Sequence, residues 1–180
     1  MDKNDKTKSD VLEKIDLMVL DVDGVLTDGR VILDADGREM KVFHVLDGAG
    51  IKYWRRVGKQ VAIISGRESE AVLHRATELG IAIVKQAAKE KLPVYQSILS
   101  EMNLPEDKVA VMGDDLTDLP LLRRCGFSIA PANAVEQVRD SVDLITRATG
   151  GNGAVREAIE YILKTTGLWK SILRRYNETK

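Results

Sequence analysis

The chain has 180 residues, 44% of them hydrophobic, which is enough for one domain with a full core and a squeeze for two. Its 27 basic and 28 acidic residues are dispersed and leave a net charge of -1, so no basic field points to nucleic acid and no polybasic run points to a membrane. A single cysteine, Cys125, excludes an internal disulfide and a cysteine-rich zinc site, and fits a reducing, cytoplasmic setting.

The opening MDKNDKTKSD is polar and has no apolar h-region, and no later apolar run approaches the length of a membrane span. Residues 1–12 are therefore expected to form a loose tail ahead of a domain over residues 13–165. That domain opens on Leu17, Met18, Val19 and Leu20, an unbroken apolar run that predicts a strand buried on both faces. It ends in Asp21-Val22-Asp23-Gly24, carboxylates followed by a turn. Next, RVILDADGREMKVFHV alternates: Val31 and Leu33, an Asp36-Gly37 turn, then Met40, Val42 and Val45. This predicts a β-hairpin insertion over residues 30–46, and a bare hairpin is marginal in water unless something, such as a neighbouring subunit, covers it.

From Asp47 the apolar period lengthens to about 3.6. Asp47 as N-cap, Ile51, Trp54 and Val57 on one face, and Gly58 as a stop predict a helix. QVAIISGR repeats the first pattern, an apolar run from Val61 to Ile64 that ends in Ser65 and Gly66. Helix and strand then alternate: a helix to Gly80, IAIV, a helix near 89–102, KVAVMGDD, a helix near 119–124, FSIA, a helix near 135–139, DLIT, and a last helix after Gly-Gly-Asn-Gly at 150–153. Such alternation predicts an α/β fold with a parallel sheet and helices on both faces, whose ligands bind at the carboxyl ends of the strands. Asp21, Asp23, Ser65, Asp114 and Asp115 are then expected on one edge.

Strand geometry puts the Cα atoms of Asp21 and Asp23 roughly 6 to 7 Å apart, so both can address one small ligand. An EF-hand reading fails, because the twelfth position is Ile32 counted from Asp21 and Val45 counted from Asp34. His44 and His74 are too few for a typical zinc site and read as structural or surface groups. Magnesium, by contrast, takes one or two carboxylates with waters and substrate phosphate, which suits Asp21, Asp23 and Asp114. In such a site Asp21 can attack phosphorus, and Asp23 can protonate the leaving oxygen and then deprotonate water. Ser65 and nearby backbone N–H groups can hold the phosphoryl oxygens, and a lysine from KQAAKEKL can offset the negative charge.

DVDGVLTDG, IISGR, the lysine of KEKL and GDDLTD, in that order over roughly residues 15–145, resemble the four motifs of the haloacid dehalogenase superfamily of phosphohydrolases. The resemblance implies a three-layer, Rossmann-like sheet, with Asp21 as nucleophile and metal ligand. Asp23 would be the acid/base, meeting Mg²⁺ through its carbonyl oxygen, and Asp114 the third metal ligand. Ser65, Gly66 and Lys91 would bind phosphate. Lys91 is preferred to Lys89 because the family's lysine precedes the leucine of its helix. Asp115 and Asp118 match supporting acidic positions.

The hairpin, KVFHVLDGAGI and GGNGAVRE are similar to a subgroup with no cap domain. That similarity implies a phosphorylated sugar acid as substrate, 3-deoxy-D-manno-octulosonate 8-phosphate first and a nonulosonate 9-phosphate second. It also implies a homotetramer in which a neighbour helps to close each site, and Arg67, Arg75 and Asp47 as substrate-binding residues. Asn152 departs from the subgroup, which has arginine there. Residues 166–180 carry Leu168, Trp169, Ile172, Leu173 and Tyr176 at helical spacing, and either pack on the parent domain or reach a neighbouring subunit. Two other classes remain. A phosphoacceptor signalling domain gains nothing from Asp23, and a silent oligomerisation module has no need of every catalytic residue type.

Overall fold

The computed structural model describes residues 3–177. In chain order, α1 (Lys3–Lys14) leads into β1 (Leu17–Leu20), a hairpin of β2 (Ile32–Leu33) and β3 (Glu39–Met40), then α2 (Val45–Arg56) and β4 (Gln60–Ile64). Alternation continues through α3 (Glu70–Leu79), β5 (Ile83–Lys85), α4 (Lys91–Met102), β6 (Val109–Met112), α5 (Leu119–Leu122), β7 (Phe127–Ala130), α6 (Glu136–Arg139) and β8 (Leu144–Ile145). The chain closes with α7 (Ala154–Thr165) and α8 (Trp169–Asn177).

Six strands form one parallel sheet in the order β5-β4-β1-β6-β7-β8, as the alternation of elements predicts. The chain steps outward from β1 to β4 and β5, then crosses back through α4 to β6 on the other side of β1. The reversal of strand order therefore falls between β1 and β6, where a parallel sheet opens a crevice at its carboxyl edge. Period-two side-chain alternation splits β1 between two cores. Met18 and Leu20 join Ile51, Trp54, Ile159 and Ile162 on one face, while Leu17 and Val19 join Tyr95, Ile98 and Leu121 on the other. Burial on both faces explains why LMVL shows no polar alternation.

Two expectations are corrected. The loose tail over residues 1–12 is, from Lys3 onward, the helix α1, anchored by fully buried Leu12 with Ile15 just beyond it; residues 1–2 lie outside the described residues. Asp47 is not the N-cap of α2, which starts earlier, at Val45 after His44. Its buried carboxylate instead crosses to α7, accepting hydrogen bonds from the N–H groups of Gly153 (3.1 Å) and Arg156 (2.8 Å). The N-cap of α7 is Gly153, which has no side-chain acceptor, so its first amides take one from α2.

The C-terminal residues pack on their own chain. Ile172 of α8 is buried, Trp169 meets Tyr53 edge-on at 5.7 Å between ring centroids, and the Arg156 guanidinium lies 4.7 Å from the Tyr53 ring. Positions 178–180 of the expected tail lie outside the described residues. Between β1 and α2 the hairpin is the regular structure present, and its strands pair over two residues each.

Candidate active site

Asp21 stands one residue past β1, and its backbone N–H donates to the carbonyl of Met112 at the end of β6 (3.1 Å). This pins the first carboxylate beside Gly113 and Asp114. Gly24, at φ +89°, lets the turn pass under Asp114, since a Cβ there would sit 2.0 Å from the Asp114 carboxylate. The Gly-Gly-Asn-Gly loop backs this turn: the Gly151 N–H donates to the carbonyl of Val25 (2.9 Å), and a Cβ on Gly150 would strike the carbonyl oxygen of Gly24.

A cleft of about 260 Å³ opens here, lined by Asp21, Asp23, Ser65, Gly66, Arg67, Lys91, Asp114 and Asp115. These eight candidates, read from four separate stretches, are thus brought together. Lys89, Ala88 and Thr117 complete the lining. Ser65 follows β4, is buried, and its hydroxyl oxygen accepts from the Arg67 N–H (3.3 Å).

Carboxylate oxygens of Asp21, Asp114 and Asp118 lie within 4.8 Å of one another, among the described residues a grouping able to hold a cation. Lys91 Nζ sits 2.8 Å from Asp21 and 2.6 Å from Asp118. Asp118 also accepts from the backbone N–H groups of Asp114 (3.1 Å) and Asp115 (3.3 Å). One ammonium among three carboxylates leaves negative charge uncompensated. Asp114 Oδ1 is buried with no hydrogen-bond partner among the described residues, as a ligand atom awaiting its cation would be. Burial, then the charges of Asp21 and Asp118, push the Asp114 carboxyl up to about 8. Burial and Asp118 push Asp21 up to about 6 against the opposing pull of Lys91.

Both groups thus keep a proton in the folded chain at pH values where the unfolded chain has lost it. Between about pH 4 and those values the metal-free protein is expected to lose stability as pH rises. Thermal melting from pH 5 to 8 checks this, and a divalent cation should raise the melting temperature more at pH 8 than at pH 5.

The carboxylate of Asp23 is not in that grouping. It meets Lys41 Nζ at 2.5 Å and Arg67 Nε at 3.7 Å, while Lys41 and Arg67 both bind Glu39. Glu39 and Lys41 went unnoticed in the sequence, although their spacing of two places them on one face of the hairpin strand. Arg75 and Asp47 do not reach the cleft. Arg75 pairs with Glu78 (2.6 Å) and lines a separate hollow with Phe43, Val45 and His74. Asp47 caps α7, as above. The expectation that these two bind substrate alongside Arg67 is not met within one chain.

A family model described as haloacid dehalogenase-like hydrolase matches residues 81–159. The 3-deoxy-D-manno-octulosonate 8-phosphate phosphatase of Escherichia coli strain K12 is 39% identical over 155 residues, 86% of this chain and 82% of that protein. The crystal structure of the phosphatase of that name from Moraxella catarrhalis, in complex with magnesium, phosphate and KDO, matches with a TM-score of 0.92 and 38% identity over 95% of this chain and 98% of that one. A probable phosphatase from Pseudomonas syringae matches with a TM-score of 0.91 and 45% identity, covering 95% and 99%.

Proposed function

The chain belongs to the haloacid dehalogenase-like hydrolases, and from that membership we propose that it is a Mg²⁺-dependent phosphatase releasing phosphate from 3-deoxy-D-manno-octulosonate 8-phosphate. The observation that carries this reading is the convergence of Asp21, Ser65, Lys91 and Asp114 on one cleft.

Asp21, Asp114 and the carbonyl oxygen of Asp23 would hold the cation, with Asp118 close behind. When bound, Mg²⁺ supplies positive charge that offsets the carboxylates and the substrate's phosphoryl oxygens. The side chain of Asp21 attacks phosphorus and forms the aspartyl phosphate as the bond from phosphorus to the sugar oxygen breaks. Asp23 gives its proton to that oxygen, and then takes one from the water that attacks the phosphorus of the intermediate. Phosphate leaves and the Asp21 carboxylate is restored. Ser65, the Gly66 N–H and Lys91 hold the phosphoryl oxygens. Arg67 and Lys89, both at the cleft, suit the carboxylate of a sugar acid.

A phosphate-release screen with Mg²⁺ tests the substrate, using octulosonate 8-phosphate, nonulosonate 9-phosphates and simple sugar phosphates. Selective turnover of the first is expected. Weak and equal cleavage of generic esters would remove the named substrate.

We further propose a homotetramer. On the hairpin Val31 at 52%, Leu33 at 58%, Met40 at 53% and Val42 at 65% exposure are open to solvent, while Glu39 and Lys41 reach Arg67 and Asp23. Apolar side chains open to solvent on so short a ribbon call for a cover, and a second copy of the hairpin has matching chemistry. Replacing Leu33 and Val42 by lysine is expected to yield smaller species in sedimentation. An unchanged tetramer, or a wild-type protein that is already monomeric, would contradict this assembly.

A further inference from the structure

We infer that Lys41 is a positioning residue: its buried ammonium holds the Asp23 carboxylate and couples the seating of the hairpin to protonation of the leaving group. The inference rests on the phosphatase reading above.

The side chain of Lys41 is only 2% exposed although it rises from a surface hairpin. Its Nζ meets Asp23 Oδ1 at 2.5 Å and Glu39 Oε1 at 3.3 Å. The same Glu39 oxygen accepts from Arg67 Nη2 at 2.5 Å, and Arg67 Nε lies 3.7 Å from Asp23 Oδ2. Asp23, Lys41, Glu39 and Arg67 thus form a ring of alternating charge that joins the turn after β1, the hairpin and the loop after β4. Lys41 holds Asp23 by Oδ1, which leaves Oδ2 as the oxygen that carries the proton to the leaving group.

Two physical arguments give the ring a task beyond stability. First, a buried ion pair seldom adds net stability, because desolvation offsets its attraction, so geometry is the stronger reason to keep one. Secondly, the ring ties the hairpin directly to Asp23, while Phe43 packs on the core at the hairpin's end. Whatever seats the hairpin therefore also aims Asp23. A general acid works only within hydrogen-bond reach of the oxygen it protonates, so an Asp23 free to rotate would lose part of its effect.

A leaving group that needs no proton separates this role from a general structural one. Sugar alkoxides leave poorly unless protonated, whereas 4-nitrophenolate leaves readily as the anion. In Lys41→Met, kcat/KM for octulosonate 8-phosphate is expected to fall about tenfold to a hundredfold, and for 4-nitrophenyl phosphate less than about threefold. The parameter kcat/KM reports steps up to the first irreversible one, so the later base role of Asp23 does not blur the comparison. An equal loss on both substrates, or none on either, would overturn the inference.

If wild-type protein leaves the octulosonate ester untouched, the substrate reading fails, and the comparison is made with arabinose 5-phosphate as the alkyl ester. If Lys41→Met gives too little folded protein, Glu39→Gln decides: a loss of about threefold confined to the alkyl ester supports the clamp, and an equal loss on both esters contradicts it.

Discussion

Asp21→Asn is expected to abolish Mg²⁺-dependent phosphate release, with kcat at least about 10⁴-fold lower, because the amide has no nucleophilic oxygen to offer phosphorus. The fold should survive. Asp21 lies 9% exposed beside one ammonium and two carboxylates, so the neutral amide relieves repulsion while giving up its ion pair with Lys91. The metal-free variant is therefore expected to melt at or slightly above the wild type. Residual turnover close to that of the wild type would remove Asp21 from the mechanism.

Lys91→Met acts in the opposite sense on stability. The Lys91 side chain is 4% exposed and is the cation nearest to both Asp21 and Asp118, whose carboxylates it meets at 2.8 and 2.6 Å. Removing one partner of a buried ion pair typically costs about 3 kcal/mol or more, since the remaining charges stay desolvated and unpaired. Methionine keeps most of the apolar stem and removes the charge. Phosphate release should fall about 10² to 10³-fold, the usual loss when a donor to the developing phosphoryl charge is removed. Denaturant midpoints at pH 7 in a chelator measure the first effect, and phosphate release measures the second. Added Mg²⁺ should recover part of the stability, as it neutralises the same carboxylates.

Much of this site could be read from the sequence, for a simple geometric reason. In a parallel sheet every strand hands its chain to the same edge, so residues just past LMVL, VAII and VAVM must meet there. Asp21, Ser65 and Asp114 follow from that rule alone. Lys91 required the motif resemblance, since nothing in KQAAKEKL separates it from its neighbours.

The failures have equally definite causes. In α1, the stretch KNDKTKSD carries no apolar stripe, and the helix is anchored near its end, at Leu12 and Ile15. No periodic signal exists where the apolar contact comes at one end. Asp47 looked like the cap of its own helix because acidic residues are common there, yet its acceptor oxygens serve α7, more than a hundred positions on. A cap supplied from another helix leaves no local pattern. On the hairpin, the alternation of Met40 and Val42 is plain in the sequence, but the part played by the charged residues beside them is not. The charged partners Glu39 and Lys41 reach Arg67 and Asp23, and the apolar pair is exposed. Alternation fixes which residues share a face, but not which face meets the protein.

The central claim is that Asp21 accepts the phosphoryl group. Asp23→Asn, mixed with 4-nitrophenyl phosphate and Mg²⁺ and quenched in acid, tests it directly, because this leaving group needs no proton while without its base the second step slows, and the intermediate accumulates. Mass spectrometry of the tryptic peptide spanning residues 15–30, which contains Asp21, is predicted to show a phosphoryl adduct that disappears in the Asp21→Asn, Asp23→Asn double variant. Phosphate release by Asp23→Asn with that peptide unmodified at every quench time would contradict the account.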